Sequence, residues 1–135
     1  MEYRKQMLMG LFFAGLTFSN TRTTASHSIS YPLTMVYGIN HGFAVAITLF
    51  EVMKRNWEYI LENELFLDAW DADNLDDILD WFDGISEGKI NLRSFGVKKE
   101  EISKIVKLAT TGGRMDNNLI VFDEKEIGDN LESVY

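Results

Sequence analysis

Residues 25–56 read ASHSISYPLTMVYGINHGFAVAITLFEVMKRN, and the fold turns on how this stretch divides. Residues 25–37 carry apolar side chains at helical spacing around Pro32. Its ring removes a backbone donor and crowds the preceding turn, so a helix bent at that point is expected. Gly38 can end such a helix, and Asn40 can start another by accepting from the backbone N–H groups that follow it. The second half, HGFAVAITLFEVMKRN, is rich in small and branched apolar residues and reads as a core helix. The only two histidines of the chain, His27 and His41, lie on either side of the break. In one unbroken helix their fourteen-residue spacing would put them about 21 Å apart along the axis, too far to share a ligand. A turn at Gly38-Ile39-Asn40 allows both imidazoles to point at one spot. Two readings stay open: a shared metal site, of which two imidazoles fill at most half the usual shell, or two rings that pack and hydrogen-bond in a helical core.

Outward from this hairpin the pattern stays helical. The chain has 135 residues and a single proline, with almost none of the period-two alternation of strands, and the expected architecture is an all-α helical bundle in one domain. Toward the N-terminus, Arg4 and Lys5 precede an apolar run, MLMGLFFAGLTF, at residues 7–18. A signal-peptide core has this length, but no small-x-small cleavage site follows, and a run this short cannot span a bilayer. The run is expected to form a core helix buried on most sides, with Gly10, Ala14 and Gly15 admitting close neighbours. SNTRTT, residues 19–24, reads as a connection.

Toward the C-terminus, no basic residue occurs between Arg55 and Lys89, while eleven acids cluster there. Leu75, Ile78, Leu79, Phe82 and Ile85 repeat at helical spacing and predict an amphipathic helix with an acidic, solvated face. DADNLDD invites comparison with a calcium loop, but Leu75 falls at a ligand position and Asp76 where the loop needs glycine. Ile102, Ile105, Val106 and Ala109 mark another amphipathic helix, ended by TTGGR at residues 110–114. A last short helix is expected over residues 123–134.

Composition narrows the function. Thirteen basic residues stand against twenty-one acidic ones, a net charge of −8, so the electrostatic attraction behind phosphate-backbone binding is missing and nucleic acid is not an expected partner. With no cysteine, disulfides, thiolate metal sites and cysteine nucleophiles are excluded together, and a cytoplasmic location is expected.

The segment AGLTFSNTRTTASHSISYPLTMVYGINHGFAVAITLFEVMKRN, residues 14–56, resembles the C-terminal helical domain of the iron-dependent, or group III, alcohol dehydrogenases, whose fold is of the dehydroquinate synthase-like type. In that family AG-x-x-F-x-N leads to His-x-x-x-His-Pro, and ten residues after the second histidine to His-Gly at a helix start. His27 falls on the first histidine and His41, followed by Gly42, on the last. Tyr31 replaces the middle one, and Pro32 is retained. The form TRTTASHSISYPLT is similar to the branch that includes phosphonoacetaldehyde reductases.

The resemblance implies that His27 and His41 ligate a divalent metal, iron or zinc, in an enzyme transferring hydride between an alcohol or aldehyde and NAD(P). Tyr31 would stand where many relatives carry a histidine of the proton relay. A phenol, with a reference pKa of about 10, is a poorer shuttle near neutrality, and a packing role for Tyr31 is the other reading. Phe18 and Asn20 match the loop facing the substrate cleft, and Arg114, in GGRMDNN, is suited to an anionic substrate.

Relatives of this kind begin with a nucleotide-binding domain bearing a GGGS-type turn, and supply an Asp-x-x-x-His pair upstream of the matching segment. Neither occurs in this sequence, and Gly112-Gly113 lacks the spacing of a dinucleotide fingerprint. The expectation is therefore a distal part of a larger enzyme, without a cofactor-binding site of its own, inactive alone and separated from its nucleotide-binding half. It is also expected to self-associate through the apolar N-terminal helix. A stand-alone helical binding or regulatory module and a small histidine–carboxylate metal protein are the rival functions.

Overall fold

A computed structural model describes residues 1–21, 23–110, 115 and 117–135. Among the described residues there are seven α-helices and no strand: α1 Glu2–Ser19, α2 Ala25–Tyr37, α3 His41–Asn56, α4 Asn63–Trp70, α5 Leu75–Ser86, α6 Ile102–Ala109 and α7 Glu124–Ser133.

The α2–α3 break forms as its residues dictate. Gly38 adopts φ 67°, left-handed backbone that glycine enters without a Cβ penalty. Its N–H donates to the Thr34 carbonyl and that of Ile39 to the Leu33 carbonyl, the paired bonds that close a helix C-terminus. Asn40 then caps α3, its side-chain oxygen accepting from the Gly42 N–H at 3.1 Å. Pro32 lies inside a helix that runs unbroken from Ala25 to Tyr37, and Gly38 ends it.

One core joins α2, α3, α6 and α7. Ile29 and Leu33 from α2, Ile105 from α6, and Ile127 and Leu131 from α7 are fully buried, with Ile47 and Val52 of α3 against them. Each helix contributes residues at three- and four-residue spacing, the stripe that an amphipathic helix turns inward. Leu92 and Val97, between α5 and α6, complete this core, and the Leu92 N–H donates to the Val134 carbonyl at 3.0 Å, tying that segment to the end of the chain.

α5 begins at a complete capping box, in which Asn74 accepts from the Asp77 N–H and the Asp77 carboxylate accepts from the Asn74 N–H. It leans on α3 through the edge-to-face pair Phe50–Phe82, 4.8 Å between ring centres. α4, which the sequence pattern did not single out, is joined to α5 by Trp70 and Trp81 at 5.2 Å. Ile85 departs from expectation: at 60% exposure it lies outside the face that Leu75 and Ile78 bury. α5 is held over its first turns and reaches only a shallow groove by its last.

The larger departure is α1. Expected to be covered on most sides, it has no buried residue, and Leu11 and Phe12 are each 63% exposed. Its apolar residues lie all round the helix, so no single neighbour could cover them, and at its C-terminal end Phe18 stacks on His27 of α2. The TTGGR stop after α6 lies outside the described residues apart from Thr110, which caps that helix through its N–H to the Val106 carbonyl.

Candidate metal and substrate site

His27 sits in the first turn of α2 and His41 is the first residue of α3. Because α3 starts beside the middle of α2, the two rings meet, with centres 5.6 Å apart and planes at 60°. Ser30, one turn after His27, links them. Its hydroxyl donates to the His27 carbonyl at 2.7 Å and lies 3.5 Å from Nδ1 of His41. With its hydrogen directed to the carbonyl, the hydroxyl presents a lone pair to His41, which suits an Nδ1–H tautomer and leaves Nε2 of His41 free to ligate. Burial pushes the His27 pKa below its ordinary value, and the neighbouring His41 charge lowers it further. Both causes favour the neutral imidazole that a metal requires.

Around the pair stand two of the aromatic residues expected at the site. The Phe18 ring stacks on His27 with 6.4 Å between centres and a 23° tilt, and the Tyr31 ring lies 6.5 Å from that of His41. Asn20 is not drawn in. Its side-chain amide donates to the Leu16 carbonyl at 2.9 Å, closing the end of α1. Arg114 lies outside the described residues. No third histidine, cysteine, aspartate or glutamate joins His27 and His41 in a metal-binding group among the described residues. A groove of about 640 Å³ lined by Phe43, Ile85, Ser86, Lys89, Ile90, Ser94 and Phe95 does not include the histidines.

Sequence reasoning missed Ser30 and Asn118. Ser30 carried a local signal, its three-residue spacing from His27. Asn118 pairs with Asn56 at a separation of 62 residues, which no local pattern reveals.

The whole chain, residues 1–135, matches the description "Fe-containing alcohol dehydrogenase family, C-terminal". The chain belongs to this family. Among curated relatives of this family member is the 4-hydroxybutyrate dehydrogenase of Clostridium kluyveri, 26% identical over 148 aligned positions that take in 99% of this chain and 39% of that protein. The chain thus spans about two fifths of the length of that relative. Among solved structures, that of a 1,3-propanediol oxidoreductase is similar, with a TM-score of 0.65 at 21% identity, covering 83% of this chain and 32% of the other. At that identity the likeness speaks for the fold, and the all-helical architecture of the described residues agrees with it. No helix among its described residues is long and apolar enough to cross a membrane.

Proposed function

We propose that this chain is the metal- and substrate-binding helical part of a metal-dependent, NAD(P)-linked alcohol dehydrogenase, inactive by itself, with His27 and His41 as two of the metal ligands. The observation that carries the reading is the convergence of the only two histidines on rings 5.6 Å apart, from separate helices. As a donor set the pair fits half of a divalent site. The remaining ligands, an aspartate and a third histidine, come in this reading from another part of the enzyme, and such a mixed nitrogen and oxygen set suits iron(II) or zinc without choosing between them.

A bound divalent ion supplies Lewis-acid polarisation of an alcohol or aldehyde oxygen. The chain's own residues do the rest. Ser30 holds His41 in orientation through Nδ1, leaving Nε2 for ligation. Phe18, stacked on His27, sets an apolar ring beside the pair. Tyr31, beside His41, offers a phenolic O–H that can donate to a substrate oxygen. Arg114 is the polar candidate for the substrate's far end, its guanidinium suited to an anionic group. The exposed apolar α1 supports self-association of the chain.

The reading is tested with homogeneous protein supplied with zinc or iron(II), short aldehydes or alcohols, and NADH, NADPH or their oxidised forms. No turnover is expected, because in this reading half of the metal ligands and the site that would align the supplied hydride carrier belong to another part of the enzyme. Turnover would overturn the proposal that the chain is inactive alone.

A further inference from the structure

We propose that Asn118 is a positioning residue for the histidine pair: by bonding the start of α2 to the end of α3, it fixes the register that brings His27 to His41. The proposal rests on the reading of these histidines as a metal pair, and adds a residue far from both in sequence.

α2 starts without a side-chain cap of its own, since Thr24 stands at the capping position but makes no such bond. The first turn of a helix leaves backbone N–H groups unpaired. Here the acceptor comes from a distance of 93 residues, with Oδ1 of Asn118 3.5 Å from the Ala25 N–H, two residues before His27. The same oxygen accepts from Nδ2 of Asn56 at 3.2 Å, and Asn56 is the buried last residue of α3. Nδ2 of Asn118 donates in return to Oδ1 of Asn56 at 3.1 Å and to the Ile120 carbonyl at 2.8 Å. One amide thereby uses two acceptor and two donor directions at once. Aspartate has the acceptors without the donors, and alanine has neither.

The bonds matter because the two histidines lie on different helices, so their spacing is set by how α2 lies along α3. An α-helix rises 1.5 Å per residue, whereas metal–ligand distances tolerate about 0.2 Å. A slip of even one residue between α2 and α3 would exceed that tolerance severalfold. The turn at Gly38–Asn40 joins the helices at one end, and Asn118 joins them at the other.

The test uses the full chain, with Asn118→Ala, Asn118→Asp and, as a reference, Ile78→Val in the buried face of α5. With only two histidines in the sequence, their ring protons are read without overlap by NMR. Asn118→Ala is expected to abolish the cross-peak between the His27 and His41 rings, to speed exchange of the Ala25 amide by about tenfold or more, and to weaken zinc binding by about 10- to 100-fold, the usual cost of losing an orienting partner. Asn118→Asp is expected to weaken the cross-peak and reduce zinc affinity severalfold. Ile78→Val should lower thermal stability and leave all three unchanged. If Asn118→Ala does not fold, Asn118→Asp decides. A folded variant whose ring cross-peak persists at parental strength overturns the proposal and makes Asn118 a stabilising residue only. If the parent fails to bind zinc, the metal reading falls, while the cross-peak and the Ala25 exchange still decide whether Asn118 holds the rings together.

Discussion

Asn56 and Asn118 bind each other reciprocally, Nδ2 of each donating to Oδ1 of the other at 3.2 and 3.1 Å. Asn56 is only 7% exposed, so an unpaired amide there would be costly. Asn118→Leu, which leaves the Asn56 side chain without this partner, should destabilise the fold by about 1–3 kcal/mol. Urea unfolding followed by circular dichroism checks this; a loss under a few tenths of a kcal/mol would show that the pair is not an anchor.

α5 should depend on its start. Asn74 accepts from the N–H groups of Asp76 and Asp77, while Asp77 answers to the backbone of Asp73 and Asn74. Asn74→Ala is expected to cost about 1 kcal/mol, and Asn74→Gly a few tenths, measured by the same unfolding transition. Equal losses for the two would argue against the capping account.

Two isoleucines separate the core from its periphery. Ile105, fully buried in α6, should cost about 2–5 kcal/mol when replaced by alanine. Ile85, also expected on an apolar helix face but exposed, should cost under about 0.5 kcal/mol. A large effect at Ile85 would place it under cover that the described residues do not provide.

The uncovered α1 leads to an assembly prediction. Leu8, Leu11, Phe12 and Phe13 are exposed on several sides of the helix, more than one face of a partner could shield. Light scattering on the purified chain should give a molar mass above that of the monomer, with the acidic α4–α5 region left outside because like charges repel. Leu11→Glu or Phe12→Glu should shift it toward monomer. A parent that stays monomeric at high concentration with an intact helical spectrum would contradict this.

Where the physical signal was local, the sequence was readable. The Gly38 stop, the Asn40 cap and the Asp123 start of α7 follow from the residues at those positions, and the structure bears each out. α4 escaped because its eight residues are too few for a clear period and are surrounded by acids. Ile85 was misassigned because periodicity predicts a face but not where the neighbouring surface ends. For the histidines, the break made convergence permissible, yet the 5.6 Å ring spacing depends on the lie of α2 along α3 and hence on contacts such as Asn118, which has no sequence signature. The buried placement expected for α1 treated apolar composition as if a cover had to be within reach.

The central claim, that His27 and His41 form half of a divalent metal site, is tested most directly by titrating zinc into the metal-free chain near neutral pH and following the two histidine ring signals. The expected result is that both rings shift together with one stoichiometric transition, that either His27→Ala or His41→Ala weakens binding by about tenfold or more, and that binding fades as the imidazoles are protonated at lower pH. Rings that respond independently, or an affinity untouched by either substitution, would contradict it.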